Sequence, residues 1–168
     1  MKHLLAFVVI TFFCSSYANA QTYKNTNEQE NGKTFGQLMT WVLDGEKSPE
    51  RVEIETSTQW QELTSDQSNY AVWIGHATYL INNGEITILT DPIFSKRASP
   101  IGFAGPKRMI PPAMNLQDLP KIDIVVVSHN HYDHLDIWSL KKLYKLNPEI
   151  VFLVPAGDRI KLIKAGIK

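Results

Sequence analysis

Four side chains that commonly bind metal ions lie within residues 129–134. They are His129, His131, Asp133 and His134. Imidazole nitrogens and carboxylate oxygens are the ligands that a cation such as Zn²⁺ takes where no thiolate is available. The cluster directly follows the apolar residues 122–128, where a strand is expected to end. This pattern predicts a metal site.

The spacing within the cluster favours two metal ions over one. An extended chain alternates its side chains, so His129, His131 and Asp133 can project to one side, and His134 follows as the chain turns into a helix. We expect His129 and His131 to bind the first ion, and Asp133 and His134 the second. The alternative is a polar surface loop that contains three histidines by chance.

Two such metal ions can share a bridging hydroxide and polarise a phosphoryl or carbonyl oxygen. The expected reaction is therefore hydrolysis of a phosphodiester or an ester-like carbonyl, with Asp133 as the predicted catalytic residue. A serine triad is poorly supported, because the chain contains no Gly-x-Ser-x-Gly motif. Residues that bind the substrate cannot be assigned from the sequence.

Two further polar residues are candidates for this site. Asp91 ends a predicted strand, where its carboxylate could accept the free N–H of a ligand histidine, although it could equally be a turn former before Pro92. His76 follows Gly75 in the first strand pair. It is interpreted either as an ordinary core or turn histidine, or as a residue that faces the substrate or supports a ligand.

Composition excludes several other classes of protein and site. The chain has 17 basic and 17 acidic residues, so nothing favours nucleic acid as its main partner. Its single cysteine, Cys14, lies in the N-terminal segment. Disulfides and cysteine–zinc sites are therefore excluded from the rest of the chain, and a metal must use His, Asp, Glu or water.

The N-terminal residues predict export. Residues 1–20 combine a short basic start, an apolar stretch and a small-x-small site, which is the layout of a signal peptide cleaved after Ala20. Cys14 suggests a lipoprotein as the alternative, but Phe13 stands where a small residue is wanted. The expected location is the periplasm. Residues 21–33 predict a disordered leader, and residues 34–69 a helix at 35–43 followed by an irregular arm.

Residues 70–168 predict a folded α/β body, because strand and helix patterns alternate in its second half. Asn83-Gly84 indicates a hairpin turn, Asp136 and Asp158 are expected helix caps, and Asn147-Pro148 is expected to end the first of these helices. The predicted strands are 70–74, 77–81, 85–90, 122–128 (central, covered on both faces) and 150–154 (buried).

A long loop at 93–120 contains two basic pairs, Lys96-Arg97 and Lys107-Arg108. One interpretation is an ordinary solvated loop face. The other is a rim that steers an anionic or phosphate-bearing substrate toward the metals.

Four segments in this order resemble the metallo-β-lactamase superfamily. They read WIGHAT at 73–78, TDPIFS at 90–95, GPKR at 105–108 and SHNHYDHLD at 128–136. Together they are most similar to the branch that contains N-acyl-phosphatidylethanolamine-hydrolysing phospholipase D and its bacterial relatives. The resemblance covers residues 35–168.

The resemblance implies an αβ/βα sandwich and two zinc ions, one bound by His129 and His131 and the other by Asp133 and His134. It also implies a structural role for Asp91 beside them. The implied substrate is a membrane phospholipid or another small phosphodiester or ester, with peripheral membrane contact. Iron or manganese would suit the same ligands. The alternatives are a lactonase of the same superfamily and an inactive, truncated metal-binding domain.

The chain also departs from the family pattern. Family members supply a third histidine, a bridging aspartate and a final histidine from further along, whereas no histidine follows His134 here. We therefore expect residues 70–168 to be the N-terminal half of the sandwich, from a larger enzyme. Such a fragment is expected to bind metal weakly, to hydrolyse little, and to expose apolar residues at 151–154. The sequence does not indicate an oligomeric state.

Overall fold

The structure is a computed structural model that describes residues 34–44, 54–65, 69–100, 102–103 and 105–168. The predicted signal peptide at 1–20 and leader at 21–33 lie outside these residues and stay predictions. None of the helices in the described ranges is long and apolar enough to span a bilayer.

Helix α1, Phe35–Asp44, confirms the helix predicted at 35–43. It belongs to a unit distinct from residues 50–168. Thr34 and Gln37 form reciprocal bonds at its start. The Thr34 N–H donates to Gln37 Oε1 at 2.8 Å, and the Gln37 N–H donates to Thr34 Oγ1 at 3.3 Å. This capping box satisfies backbone donors that the helix leaves unpaired.

The second unit is built on a five-stranded sheet with three helices. Its elements are α2 (Trp60–Ser65), β1 (Tyr70–Gly75), β2 (Thr78–Asn82), β3 (Thr87–Thr90), β4 (Ile124–Val126), α3 (Ile137–Leu146), β5 (Val151–Leu153) and α4 (Arg159–Lys164). A short 3₁₀ turn, Leu116–Asp118, lies in the long loop. Helix α2 corrects the prediction that residues 44–69 form an irregular arm. Trp60, the first residue of this helix, packs against the core. The polar composition of the segment did not indicate that contact.

The strands lie in the order β1-β2-β3-β4-β5. The first three are antiparallel, and β3, β4 and β5 are parallel. The predicted Asn-Gly turn between β2 and β3 is confirmed. Asn83 Oδ1 accepts from two following N–H groups, and Gly84 takes a φ of 87° that favours glycine. Because β3 and β4 run the same way, the residues after them meet at one end of the sheet.

The core lies on one face of the sheet. Leu80, Leu89 and Val125 are in register across β2, β3 and β4, and all three are fully buried. Leu140 and Leu143 of α3 belong to the same buried cluster. This packing fixes the strand ends from which the functional residues project.

Two of the predicted strands are less covered than expected. In β4, Ile124 and Val126 are only half-buried, so the expected burial on both faces was wrong. In β5, Val151 and Leu153 are 53% and 50% exposed, so the prediction of a buried strand was wrong too. The expected exposure of apolar side chains at 151–154 is confirmed. An apolar run predicts a strand, but it does not reveal how many faces are covered.

The two predicted helix caps have different outcomes. Asp136 caps α3, because its Oδ1 accepts from the Trp138 N–H at 3.1 Å, and the helix ends before Asn147-Pro148 as predicted. Asp158 precedes α4 but makes no capping hydrogen bond. Its carboxylate instead accepts from Asn130 Nδ2 at 3.1 Å and pairs with Lys161 Nζ at 2.9 Å. The capping prediction for Asp158 was therefore wrong.

We expect Asp136→Ala to destabilise the protein by about 1–3 kcal/mol, since it removes a cap and leaves buried donors unpaired. Asp136 is buried, and its Oδ2 accepts from Ser139 Oγ at 2.6 Å and from the Ser95 N–H at 3.1 Å. Urea unfolding measures the free energy. The exposed Glu85→Ala is the control, and an equal loss in both variants would contradict the prediction.

Candidate metal centre

The centre forms where the parallel strands β3 and β4 end side by side. Asp91 directly follows β3, and its N–H continues the ladder by donating to Val126 O at 2.8 Å. Asp91 then takes a φ of +36°, a left-handed conformation that turns the chain out of the strand. Residues 128–134 leave the end of β4 beside it. The strand ends therefore bring residue 91 to the ligand cluster.

The buried Asp91 carboxylate is the most extensively bonded group of the site. Its Oδ1 accepts from the Ser128 N–H at 2.7 Å. Its Oδ2 accepts from Ser128 Oγ at 2.7 Å and from His134 Nδ1 at 2.8 Å. Burial alone raises the pKa of Asp91, but the hydrogen bonds from His134 and Ser128 outweigh it, so the pKa is lowered. The group is thus held as a carboxylate.

Asp91 orients one histidine directly and a second one through Ser128, and so selects the tautomer of each neutral ring. His134 donates from Nδ1, so its Nε2 keeps a free lone pair. Ser128 gives its hydroxyl hydrogen to Asp91, so its oxygen accepts from His129 Nδ1 at 2.9 Å. His129 Nε2 is then unprotonated as well, and its lone pair faces His131 Nδ1 at 3.0 Å. An unprotonated ring nitrogen is what a metal ion requires of histidine.

His76 comes to the centre from the turn between β1 and β2. The pairing register shifts between Trp73 and Gly75, and the turn then takes φ values of 141° at Gly75 and 51° at His76. Trp73 Nε1 donates to the His76 carbonyl at 2.9 Å and braces the turn. The His76 Nε2 atom consequently lies 3.0 Å from Asp133 Oδ2.

His76, Asp133 and His134 form a three-residue donor set, with one ligand atom from each lying within 4.8 Å of the others. The Asp133 Oδ2 atom is central, because it lies 3.0 Å from His76 Nε2 and 3.5 Å from His134 Nε2. Two imidazoles and one carboxylate fit a zinc ion in number and type.

His129 and His131 form a second donor pair next to this set. His129 Nε2 lies 3.0 Å from His131 Nδ1, and the His129 and His134 rings are 3.9 Å apart between centroids. Burial lowers the pKa of His129, and the neighbouring His134 and His131 lower it further. The low pKa favours the neutral imidazole, which is the form that binds a metal. Five donor residues thus lie in two adjacent groups.

The structure places every predicted site residue in this one region. His76 lies beside Asp133 and His134, where it could serve as a third donor or could support Asp133 as predicted from the sequence. Ser128 was missed, although a hydroxyl between the end of a strand and a ligand histidine is a usable signal. Asn130, inside the motif, turns away to Asp158. The metal-binding and catalytic roles themselves stay predictions.

Comparison with known proteins identifies the family that the region around this site is similar to. Residues 87–163, which include Asp91 and the whole ligand cluster, match the beta-lactamase superfamily domain. This part of the chain is similar to the superfamily that the sequence motifs resemble. This result confirms the resemblance drawn from the four motifs and, with the mixed five-stranded sheet, the α/β fold class.

The chain is also similar to several named hydrolases. It is 50% identical over 106 residues to N-acyl-phosphatidylethanolamine-hydrolyzing phospholipase D 1 of Caenorhabditis elegans, a match that covers 63% of this chain and 30% of the relative. The mitochondrial enzyme of that name from Saccharomyces cerevisiae is 39% identical over 98 residues, 58% of this chain and 20% of the relative. A metal-dependent hydrolase of Pyrobaculum islandicum is 32% identical over 63 residues, 38% of this chain and 23% of the relative. The names of these relatives support a hydrolase. The chain spans under a third of their length, so the activity of the whole protein is a proposal.

We expect Asp91→Asn to lower zinc affinity by about 10–100-fold, the usual effect of losing a carboxylate that orients ligand histidines. An amide has one acceptor oxygen where the carboxylate has two, so it cannot accept from the Ser128 N–H, Ser128 Oγ and His134 Nδ1 together. The orientation of the two histidines is therefore less well fixed. Competition with a fluorescent zinc chelator measures the affinity. The exposed Asp118→Asn removes the same charge away from the site and should leave the affinity unchanged. Equal affinities in the two variants would contradict the role given to Asp91.

Proposed function

We propose that this chain forms part of a zinc-dependent hydrolase that cleaves the phosphodiester of N-acyl-phosphatidylethanolamine-like phospholipids. The observation that supports it best is the convergence of five donor residues, of which Asp91 orients His134 directly and His129 through Ser128. The identity to enzymes named for hydrolysing this lipid supports the substrate. The zinc ions and the substrate are proposals in this chain.

The metal-binding residues of this chain form two donor groups. His129 and His131 would hold one zinc ion, and Asp133 and His134 the other, with His76 next to the same Asp133 oxygen. When bound, such ions polarise a phosphoryl oxygen and lower the pKa of water. Asp133 belongs to the second group. Asp91 accepts from His134 Nδ1 directly and, through Ser128, favours the neutral tautomers of His134 and His129 in which Nε2 carries the lone pair. Ser128 transmits the constraint of Asp91 to His129.

A phosphate-bearing substrate also suits the charge around the site. From residue 92 to residue 117 the chain has four basic residues and no acidic one. Arg108 lies at the border of the centre, where a Cβ at Gly75 would be 3.8 Å from its Nη1. A positive field beside the metals attracts an anionic headgroup and favours a phosphodiester over a neutral ester. We propose that the protein is located in the periplasm. This proposal rests only on the signal-peptide pattern of residues 1–20.

Assays on the protein as its host produces it should show hydrolysis of N-acyl-phosphatidylethanolamine. We expect Asp133→Asn to reduce kcat/KM by about 100-fold or more, because it removes the carboxylate shared by the second donor group. Asp118→Asn is the matched exposed control. Release of the N-acylethanolamine measures turnover. Faster cleavage of a sugar lactone would instead support the lactonase, and cleavage of neither substrate would support a binding domain.

Removing the metal should abolish hydrolysis, and zinc should restore it. Treatment with a chelator followed by dialysis gives the metal-free protein, and Zn²⁺, Fe²⁺ or Mn²⁺ is then added back while bound metal is measured by mass spectrometry. We expect zinc to restore the activity best, since imidazole-rich sites suit it. Full activity in the metal-free protein would rule out the proposed chemistry. Better restoration by iron or manganese would overturn the choice of zinc only.

A further inference from the structure

The long loop contains a short hairpin that the metal chemistry does not use. Its arms, residues 95–98 and 105–108, are joined by a bridge between Arg97 and Lys107. The Ala98 N–H donates to Pro106 O at 3.0 Å, and the Arg108 N–H donates to Lys96 O at 2.9 Å. We call these two arms, together with Phe103 between them, the basic hairpin.

The basic hairpin has a defined conformation. At Gly105 φ is +89°, and a Cβ there would lie 2.7 Å from Ser99 Cβ, so only glycine fits the close approach of the arms. Arg97 Nη1 donates to Gly105 O at 2.6 Å and ties one arm to the other. Arg108 fastens the base by donating to the carbonyls of Ile93 and Ser95. A hairpin so fixed can present its outer side chains as a surface.

Apolar and cationic groups stand next to each other on this hairpin. Phe103 is 85% exposed, the most exposed large apolar side chain of the described residues. Lys96 and Lys107 are exposed on the arms, and within the part of the chain that the structure describes neither forms a salt bridge. Arg97 and Lys107 lie directly opposite each other, an arrangement of like charges that destabilises a strand pair. An anionic partner would remove that penalty.

We propose that the basic hairpin docks this protein on an anionic lipid bilayer. An aromatic ring that enters the interface between lysines, whose charged ends stay at the headgroups, is the arrangement that amphipathic membrane anchors use. A nucleic acid or an acidic protein would satisfy the charges but would give Phe103 no apolar environment. The absence of acidic residues from 92 to 117 removes the repulsion that such a surface would otherwise meet.

Docking by this hairpin would also place the metal centre at the membrane. After the hairpin the loop returns along β1, where the Ala113 N–H donates to Ile74 O at 2.8 Å, one residue before Gly75 and His76. Arg108, at the base of the hairpin, lies close to the same turn, because a Cβ at Gly75 would be 3.8 Å from its Nη1. The base of the basic hairpin therefore adjoins the turn that carries His76. Membrane binding needs neither metal nor turnover, so a failure of this inference would leave the proposed hydrolase standing, and the reverse also holds.

Flotation with vesicles tests the proposal on the purified chain, with its N-terminus defined by mass spectrometry. Vesicles of phosphatidylcholine with phosphatidylglycerol are compared with phosphatidylcholine alone, after treatment with a chelator. We expect binding only to the anionic vesicles, and less at high salt. Phe103→Ser should weaken it about tenfold, and Lys96→Gln with Lys107→Gln about 25-fold, at about fivefold per charge. Leu146→Ser and Lys141→Gln with Lys145→Gln, exposed changes on α3, are the matched controls.

A second measurement gives a positive signal that does not depend on lost binding. Brominated lipid should quench Phe103→Trp more than the unaltered protein, which has four tryptophans, whereas Leu146→Trp should show no added quenching. Equal binding by the hairpin and control variants, or no quenching at position 103, would overturn the proposal. Tighter binding to a DNA duplex that survives Phe103→Ser would overturn it too, as would a dimer that Phe103→Ser dissociates while vesicle binding persists.

Discussion

The hydrogen-bonded carboxylate of Asp91 joins the fold of this protein to its chemistry. It stands at the end of β3, continues the ladder to β4 through its N–H, and bonds Ser128 and His134 with its two oxygens. Because Ser128 in turn bonds His129, one buried anion orients a histidine in each donor group. The parallel pairing of β3 and β4 is what brings these groups within reach. A slip in that pairing would separate the carboxylate from both histidines.

Much of this arrangement could be predicted from local sequence. An apolar strand followed by His-x-His-x-Asp-His indicates metal ligands, and Asn83-Gly84 indicates the hairpin turn, because both signals depend on neighbouring residues only. Helix α3 was predictable for the same reason, from Asp136 at its start and a proline at its end. Family resemblance added the fold, which local patterns do not specify.

Long-range facts were harder to infer. The proximity of His76 to Asp133 depends on a shift in strand register and on two positive φ values. No local sequence pattern predicts this proximity. The exposure of Val151 and Leu153 depends on which elements cover the outer face of the sheet. An apolar run in the sequence does not indicate those elements. The sequence position of Asp158 suggested a helix cap, but its carboxylate accepts from Asn130 and pairs with Lys161 instead. In each case a distant partner decided the outcome.

The contact between His76 and Asp133 has a mechanical consequence. The two residues are 57 positions apart, and His76 sits on the hairpin formed by β1 and β2, with β1 at the edge of the sheet. An ion held by both side chains would act as a removable cross-link that closes this long loop, as a disulfide does permanently. Metal loading would then strengthen the edge of the sheet, and metal loss would let the edge hairpin open before the core does. The centre would thus serve as a fastening for the fold as well as a place for chemistry.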